Sequence, residues 1–452
     1  MTLAIKTEED EQRQLKVTVE VPEDQVQQEM KRTARKLSQQ LRIPGFRKGK
    51  VPYNVMIRRI GEESLRAEAI ESMIESVVEE ALGEVDTQPY RQPTLDNIEM
   101  EPFVLDLTIP MMPKVTLGDY RSIRREIESV EVTDEALEEA LYQIRTKHQI
   151  LEEADRPVVE GDLVTLSGEG KIDEEDGQIV WSEDEIDLPM ESKRTFPNVP
   201  FVENVVGLNI DEEKVFSFSF GEDYDDEELA GKPATFEVKV LKIQSRELPE
   251  LTDELAQEEG EYETVDDLRE ALNTELLERA ERDARAETLD EFTTDLVEGA
   301  EIIYPPAAVE SELDGMLEET KEQVTRSGWQ WNDYLQLQGE TEETLRDEWN
   351  DNAVKRIERG FALGEFVSTE LLTVTSEEID QAIDKRVESF KSDGDFQEEI
   401  RKMFSQGQGL DLVSNDVLME KVTDRVEEIL SGSAPELDTL IAEKNSEMDE
   451  EE

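Results

Sequence analysis

The 452-residue chain contains no cysteine and one histidine, His148. Disulfide bridges, thiol nucleophiles and thiolate metal sites are excluded, and a lone histidine on a helix reads as a packing or surface residue rather than a zinc ligand. No apolar run approaches the ~18 residues a helix needs to span a bilayer. The opening residues, Met-Thr-Leu-Ala-Ile-Lys-Thr-Glu-Glu-Asp, lack the basic segment and apolar core of a signal peptide. A cytoplasmic protein without membrane contact is expected. No Gly-rich phosphate loop of the Walker type is present, so neither ATP nor any other cofactor is implied.

Positive charge is the other shortage. Lys and Arg number 48 against 115 Asp and Glu, a formal net charge of −67. Self-repulsion on this scale opposes compaction unless salt screens it, and at 1 M the Debye length is only ~3 Å. The composition is read as a halophilic acidic surface adapted to a salt-rich cytoplasm. A hydrophobic content of 36% in clearly periodic segments argues for a folded chain. Its length calls for about two to four domains.

Against this background residues 31–61 hold ten Lys and Arg and no Asp or Glu. At their centre Gly45 and Gly49 bracket Phe46-Arg47-Lys48, and Pro44 and Pro52 close the ends. Glycine permits backbone angles other residues avoid, and proline disfavours helix in the residue before it. The expectation is a short stiff loop between two helices, presenting Phe46 and its flanking cations to an anionic partner. The plain alternative is a solvated hairpin that aids solubility, but the rest of the chain already supplies that.

Gly45-Phe-Arg-Lys-Gly-Lys-Val-Pro52 resembles the signature of the trigger factor family of bacterial ribosome-associated chaperones. The resemblance implies ribosome binding by Gly45, Phe46, Arg47, Lys48, Gly49 and Lys50, the tip meeting a tunnel-exit ribosomal protein and nearby rRNA. It further implies ATP-independent sheltering of nascent and unfolded polypeptides, with roles in protein folding and export. Homodimerisation off the ribosome stays open.

The remaining periodicities give an α+β multidomain fold. Leu15, Val17, Val19 and Val21 alternate as a half-buried strand, as do Phe103, Leu105, Leu107 and Ile109. Pro22-Glu-Asp24 opens an amphipathic helix carrying Val26, Met30, Leu37 and Leu41, and Leu65 to Leu82 carry another. Together they make an α/β ribosome-binding domain at 1–112. Residues 113–153 read as a connector helix packing with the C-terminal domain. Thr133 starts this helix, and Leu137, Leu141, Ile144, His148 and Leu151 share one face. Residues 247–434 read as an all-α chaperone domain of extended arms, helical throughout from 264 to 430. Within it, helices are expected at about 307–326, 341–372, 376–391 and 414–430. Residues 435–452 read as an acidic disordered tail.

Between these helices, residues 154–246 change to short alternating segments with regular glycines, an antiparallel β domain with one helix near 202–206. Pro200-Phe-Val-Glu-Asn-Val-Val-Gly207 and Tyr224 with Leu229-Ala-Gly-Lys232 resemble the FKBP-type prolyl isomerase domain of trigger factors. The candidate catalytic pocket is an apolar wall of Trp181, Ile186, Phe201, Tyr224 and Phe236, with core packing as the alternative reading of the same aromatics. Two positions depart from the family pattern. Val164-Thr-Leu-Ser-Gly168 has glycine where an aromatic stands, and Pro197-Asn198 replaces an apolar pair. Asp173-Glu-Glu-Asp-Gly177 fails the EF-hand spacing and reads as a solvated turn. Two other functions stand as alternatives to the chaperone. A free prolyl isomerase requires a competent pocket. A nucleic-acid binder would want aromatics among the cations, and the island offers only Phe46 and Tyr53.

Overall fold

The computed structural model describes residues 3–41, 43–85, 87–126, 129–173, 179–196, 199–221, 224, 229–390 and 394–442. The chain forms two compact units, Ser129–Ala284 and the flanking segments Met1–Glu128 with Arg285–Glu452.

In the flanking unit, β1 (Ala4–Glu9), β2 (Gln14–Glu20), β3 (Thr94–Met100) and β4 (Phe103–Pro110) form an antiparallel sheet ordered β1-β2-β4-β3. Register pairs Leu15 with Ile109, Val17 with Leu107 and Val19 with Leu105, so the alternating apolar residues of β2 and β4 share one buried face. Helices α1 (Glu23–Gln40), α2 (Tyr53–Ile60) and α3 (Glu62–Val85) supply the other half of this core. On α3, Leu65, Ala69, Met73, Val77 and Ala81 recur every fourth residue and are all buried. The sequence gives no strand signal for the exposed β1 and β3, because edge strands with solvated faces lose their alternation.

Arg66 of α3 is fixed from both sides. Its Nε donates to the Met100 carbonyl at 2.7 Å, and its two terminal nitrogens donate to the Glu23 carboxylate at 2.8 and 2.6 Å. Hydrogen bonds from Arg66 and Gln27 hold the Glu23 carboxyl down at about 2.

Beyond β4, β5 (Lys114–Thr116) runs towards a 3-10 turn at Tyr120–Ser122. In the second unit the connector helix α4 spans Asp134–Lys147, with the Thr133 hydroxyl accepting from the Ala136 amide at 3.2 Å. The expected helical run ends sooner than Leu151: His148 caps α4, and β6 (Ile150–Glu153) is a strand. Four further strands complete its sheet: β7 (Leu163–Ile172), β8 (Ile179–Pro189), β9 (Glu213–Ser219) and β10 (Pro233–Glu247). All pairings are antiparallel, with β7 between β10 and β8, and with β6 and β9 both pairing β10. The short helix α5 (Phe201–Val205) buries Phe201, Val202 and Val205 in the same core. Leu141 of α4 packs with Ala256 of α6 (Asp253–Glu259) and Leu268 of α7 (Val265–Gly299).

The C-terminal helices are not uninterrupted. Glu301–Ile303 forms β11, which pairs antiparallel with β5. A three-residue strand is too short to show a period in sequence. Then come α8 (Pro306–Arg326), α9 (Trp331–Gln338), α10 (Glu342–Thr369), α11 (Ser376–Ser389), α12 (Gly394–Phe404) and α13 (Gly407–Ser431). The expected helix at 414–430 thus starts about two turns earlier, and α9 and α12 are additional. Residues 437–442 are helical, and the remainder of the acidic tail lies outside the described residues.

Glu370, with a side chain 0% exposed, joins distant parts of this unit. Arg121 Nε donates to it at 2.8 Å, Arg425 at 2.7 Å and the Tyr120 hydroxyl at 2.8 Å. Burial pushes the Glu370 carboxyl up, but the hydrogen bonds from Arg121, Arg425 and Tyr120 outweigh it and hold it below the usual range. Burial and the same carboxylate push the Tyr120 phenol well up.

Two outcomes are expected. Glu370→Ala leaves two guanidiniums facing each other and should destabilise the unit by about 3 kcal/mol in urea unfolding. The Glu23–Arg66 pair stabilises fully above the ordinary carboxyl value of 4.5 and fades as pH falls through about 2. Acid titration of Glu23→Gln should therefore show a shallower loss of stability between these pH values than the parent chain.

Candidate functional site

The basic loop is built by its two ends. Ile43 is buried in the N-terminal core and Val51 packs against it, while residues 44–48 stand exposed between them. Gly45 (φ +87°) and Gly49 (φ +78°) occupy the left-handed region that disfavours side chains. The Gly49 amide donates to the Ser38 carbonyl at 2.8 Å, tying the loop back to α1. Amides of Phe46 and Lys50 close turns on Ile43 and Arg47. The outcome is a rigid tip on which Phe46 is 42% exposed. Arg47, Lys48 and Lys50 are exposed too, and none meets a carboxylate among the described residues.

In the second unit the five candidate pocket residues lie in or against one core. Trp181 on β8 stacks on Phe236 of β10 with ring centroids 6.3 Å apart, and meets the edge of Phe201 at 6.2 Å. Phe201 and Phe236 are 0% exposed, so they form the floor of the aromatic cluster rather than an accessible wall. Trp181, Ile186 and Tyr224 are half-buried at its margin, Tyr224 tilted 4.7 Å from Phe220. Sequence reasoning missed Phe196. Its ring lies 4.6 Å from Phe201, 5.6 Å from Phe236 and 6.3 Å from Trp181, making it a fourth member of the cluster. An aromatic directly before Pro197 on the approach to α5 was the available signal. Pro197 and Asn198 themselves lie outside the described residues, as do residues 174–177 of the acidic turn.

Gly168 is a positive feature of the cluster. A Cβ there would sit 2.2 Å from the Glu237 carbonyl oxygen and 3.0 Å from Trp181 Cζ3, and one on Gly170 would sit 2.5 Å from Phe236 Cε1. Trp181, on the neighbouring strand, lies across this bare backbone.

His148 joins α4 to α6, its Nε2 2.9 Å from a Glu259 oxygen while Lys147 Nζ donates to the other at 2.8 Å. Among the described residues no group of His, Asp and Glu could hold a metal ion, and no helix is long and apolar enough to cross a membrane.

A basic tip, an aromatic-floored antiparallel β sheet and a helical C-terminal region define a multidomain α+β protein. The family model "Bacterial trigger factor protein (TF)" matches residues 3–144, and "Bacterial trigger factor protein (TF) C-terminus" matches 264–428. Trigger factor of Shouchella clausii (strain KSM-K16) is 33% identical over 429 residues, covering 93% of this chain and 97% of that protein. Trigger factor of Halothermothrix orenii is 33% identical over 427 residues, covering 93% and 98%. A solved chain described as "Promiscuous Substrate Recognition in Folding and Assembly Activities of the Trigger Factor Chaperone" aligns with a TM-score of 0.49 and 22% identity, over 94% of this chain and 100% of that one. The chain belongs to the trigger factor family, ribosome-associated chaperones of protein folding.

The close approach at β7 yields a direct test. Gly168→Val should destabilise the chain by about 3 kcal/mol, since a backbone carbonyl cannot yield as a side chain can. Ser167→Ala, next to it, should stay within about 0.5 kcal/mol. Urea unfolding followed by near-ultraviolet circular dichroism reads both.

Proposed function

We propose that the tip at residues 45–50 docks this chaperone beside the ribosomal tunnel exit, where it meets nascent chains without nucleotide. Phe46 inserts into an apolar recess of a ribosomal protein, while Arg47, Lys48 and Lys50 add charge-assisted hydrogen bonds at its rim. The observation that carries this reading is the exposure of Phe46 on a loop whose flanks are anchored and whose cations Arg47, Lys48 and Lys50 meet no carboxylate among the described residues. Apolar residues exposed in the C-terminal helical region, among them Trp329 in the α8–α9 loop and Leu337, Met403 and Leu412 on helices, offer dispersed contacts to unfolded chains. Covering such segments in a client prevents the aggregation that exposed apolar surface invites.

The β domain's part in this reading is prolyl isomerisation. Amide resonance sets a barrier of ~18–20 kcal/mol to rotation about the peptide bond. A twisted imide is less polar than a planar one, so apolar surroundings that exclude water favour it. Trp181, Phe196, Ile186 and Tyr224 would touch the proline, and Phe201 and Phe236 would hold them in place. No nucleophile or general base is called for.

Co-sedimentation with ribosomes tests the docking. Phe46→Ala combined with Arg47→Ala and Lys48→Ala should reduce pelleting at least tenfold, and undiminished pelleting would remove the assignment. Isomerisation is read separately as catalysis of a proline-limited refolding reaction. Trp181→Ala should lower that rate at least tenfold with ribosome binding unchanged; a parent chain with no catalysis would end the isomerase reading alone.

A further inference from the structure

Among the described residues, Arg35, Arg47, Arg58 and Arg59 of the basic window meet no carboxylate. Outside residues 31–61, every described arginine but two lies within 4.0 Å of one. The exceptions are Arg124 and Arg145. Arg124 donates to the carbonyls of Arg121, Ile123 and Ile429, closing the end of α13. Arg145, on α4, donates only its Nε, to the Pro249 carbonyl at 2.7 Å. Its two terminal nitrogens have no partner among the described residues.

Arg145 lines a cleft of about 470 Å³ in the second unit, between α4 and the segment that follows β8. Lys193 and Arg194 line it too, and Leu248 gives it an apolar patch. Both of its carboxylates are already engaged. Glu139 pairs with Arg194 and accepts from the Gln143 amide at 2.7 Å. Glu191 accepts from the Tyr142 hydroxyl and from Arg246 Nη1, each at 3.0 Å, and lies 3.3 Å from Arg194 Nε. Lys193 is exposed and meets no carboxylate among the described residues. Three cations thus stand against two carboxylates around one cleft, on a chain of net charge −67. Folding assembles this excess from separate segments, so no window of the sequence contains it.

A second cleft, of about 510 Å³, adjoins the first and shares Glu139, Tyr142, Lys193 and Arg194 with it. Its further lining is amide and apolar, with Gln143 and Gln149 at α4 and Leu163 and Pro189 on the sheet. Arg246 also lines it, with a side chain 2% exposed. Two buried atoms here have no hydrogen-bond partner among the described residues, Arg246 Nε and Gln149 Oε1. Buried polar groups are nearly always paired, and one left unmet costs free energy. A donor and an acceptor left over at one cleft mark a place where an outside group completes the bonding.

The geometry points to the joined clefts as a binding groove for an extended peptide that carries a carboxylate. The terminal nitrogens of Arg145 form a fork that matches the two oxygens of a carboxylate, and Lys193 adds an ammonium beside it. An inorganic anion would leave most of either volume unfilled; clefts of several hundred Å³ suit organic ligands. A peptide group offers one carbonyl and one N–H, the complement of Arg246 Nε and Gln149 Oε1. Leu163, Pro189 and Leu248 receive its apolar parts. Acidic side chains and a chain's C-terminus supply the same carboxylate chemistry. The groove is independent of the docking and isomerase readings, since none of its residues belongs to the basic tip or the aromatic cluster.

The test measures fluorescence anisotropy of labelled peptides of about eight residues, built from Gly, Ser and Leu, with the full chain. About 0.15 M KCl is used, where a Debye length of ~8 Å limits the field of remote carboxylates. One peptide carries glutamate and an amidated C-terminus, another a free C-terminus without glutamate, and the last is amidated with glutamine in place of glutamate. At least one of the two acidic peptides should bind at least tenfold more tightly than the neutral one, and whichever does so identifies the source. Arg145→Gln combined with Lys193→Gln should abolish that preference, with circular dichroism checking the fold. Lys193→Gln alone, at an exposed position, should lower it about threefold. The triple variant of the tip should bind the peptides as the parent chain does. Equal binding of all the peptides overturns the inference. So does a preference that survives the double variant, or one lost with the tip variant, which would place the peptide on the basic window. Parent-like ribosome pelleting of the tip variant, or an inactive isomerase, would leave these outcomes unmoved.

Discussion

The scarcity of positive charge is the constraint under which the rest of the structure is built. Each guanidinium must serve where a carboxylate would otherwise repel its neighbours, and in the flanking unit the two charges meet across elements far apart in sequence. Arg121 and Arg425 converge on Glu370, Arg125 reaches Glu291 and Asp295, and Arg285 reaches Asp424 and Glu427. Beneath these pairs lies a compact apolar cluster of Tyr120, Phe292, Leu296, Ala362, Phe366, Val422, Val426 and Ile429. The cluster supplies burial energy, while the pairs choose orientation. A buried pair gains little over an apolar replacement, yet removal of one member is costly, which makes it a strong selector of one arrangement. Glu370 carries this furthest, because it accepts four hydrogen bonds from three residues on two other segments and is left with no unmet hydrogen-bonding capacity that water would have to fill.

The same shortage gives meaning to the cations that are left unpaired. On a chain of mixed charge, four arginines without partners would be ordinary. Here carboxylates outnumber cations more than twofold, so a set of arginines that meet no carboxylate among the described residues is an arrangement the sequence maintains against its own composition. Local acidity would otherwise neutralise it. The tip adds a second kind of selection, since Phe46 stays exposed between Ile43 and Val51, both anchored within the domain. Charge and apolar surface are thereby separated by only a few residues, each on backbone held by helix or by glycine turn.

Much of this was legible in the residues alone, and the failures have identifiable physics. Half-buried strands announced themselves where one face is packed and the other wet, as in β2 and β4. Capping chemistry placed the start of α4 at Thr133. Edge strands β1 and β3 were silent because neither face demands apolar residues. The β5–β11 pairing escaped because three residues define no period and the whole second unit lies between the partners in sequence. Apolar spacing carried α4 on to Leu151, although the backbone turns at His148 and Ile150 pairs with Glu247 of β10. Periodicity reports which side chains share a face; it does not report where tertiary pairing interrupts the helix.

The aromatic cluster shows the same limit at the candidate site. Gly168 reads as a loss when β7 is considered alone, because an expected ring is absent. In the sheet the loss is local to that strand. Register shifts between β7 and β8 fall between Leu166 and Gly168 and again between Gly170 and Lys171, on either side of the Gly170–Trp181 pair. A bulge bends and twists the strand that carries it, re-aiming the side chains nearby. Trp181 thus lies across the bare backbone at Gly168 and stacks on Phe236. The two glycines and the tryptophan form one device: a Cβ at either glycine would displace a ring, and without the ring the bare backbone would be left uncovered. The cluster's arrangement therefore follows from pairing register, a property that no single segment of the sequence contains.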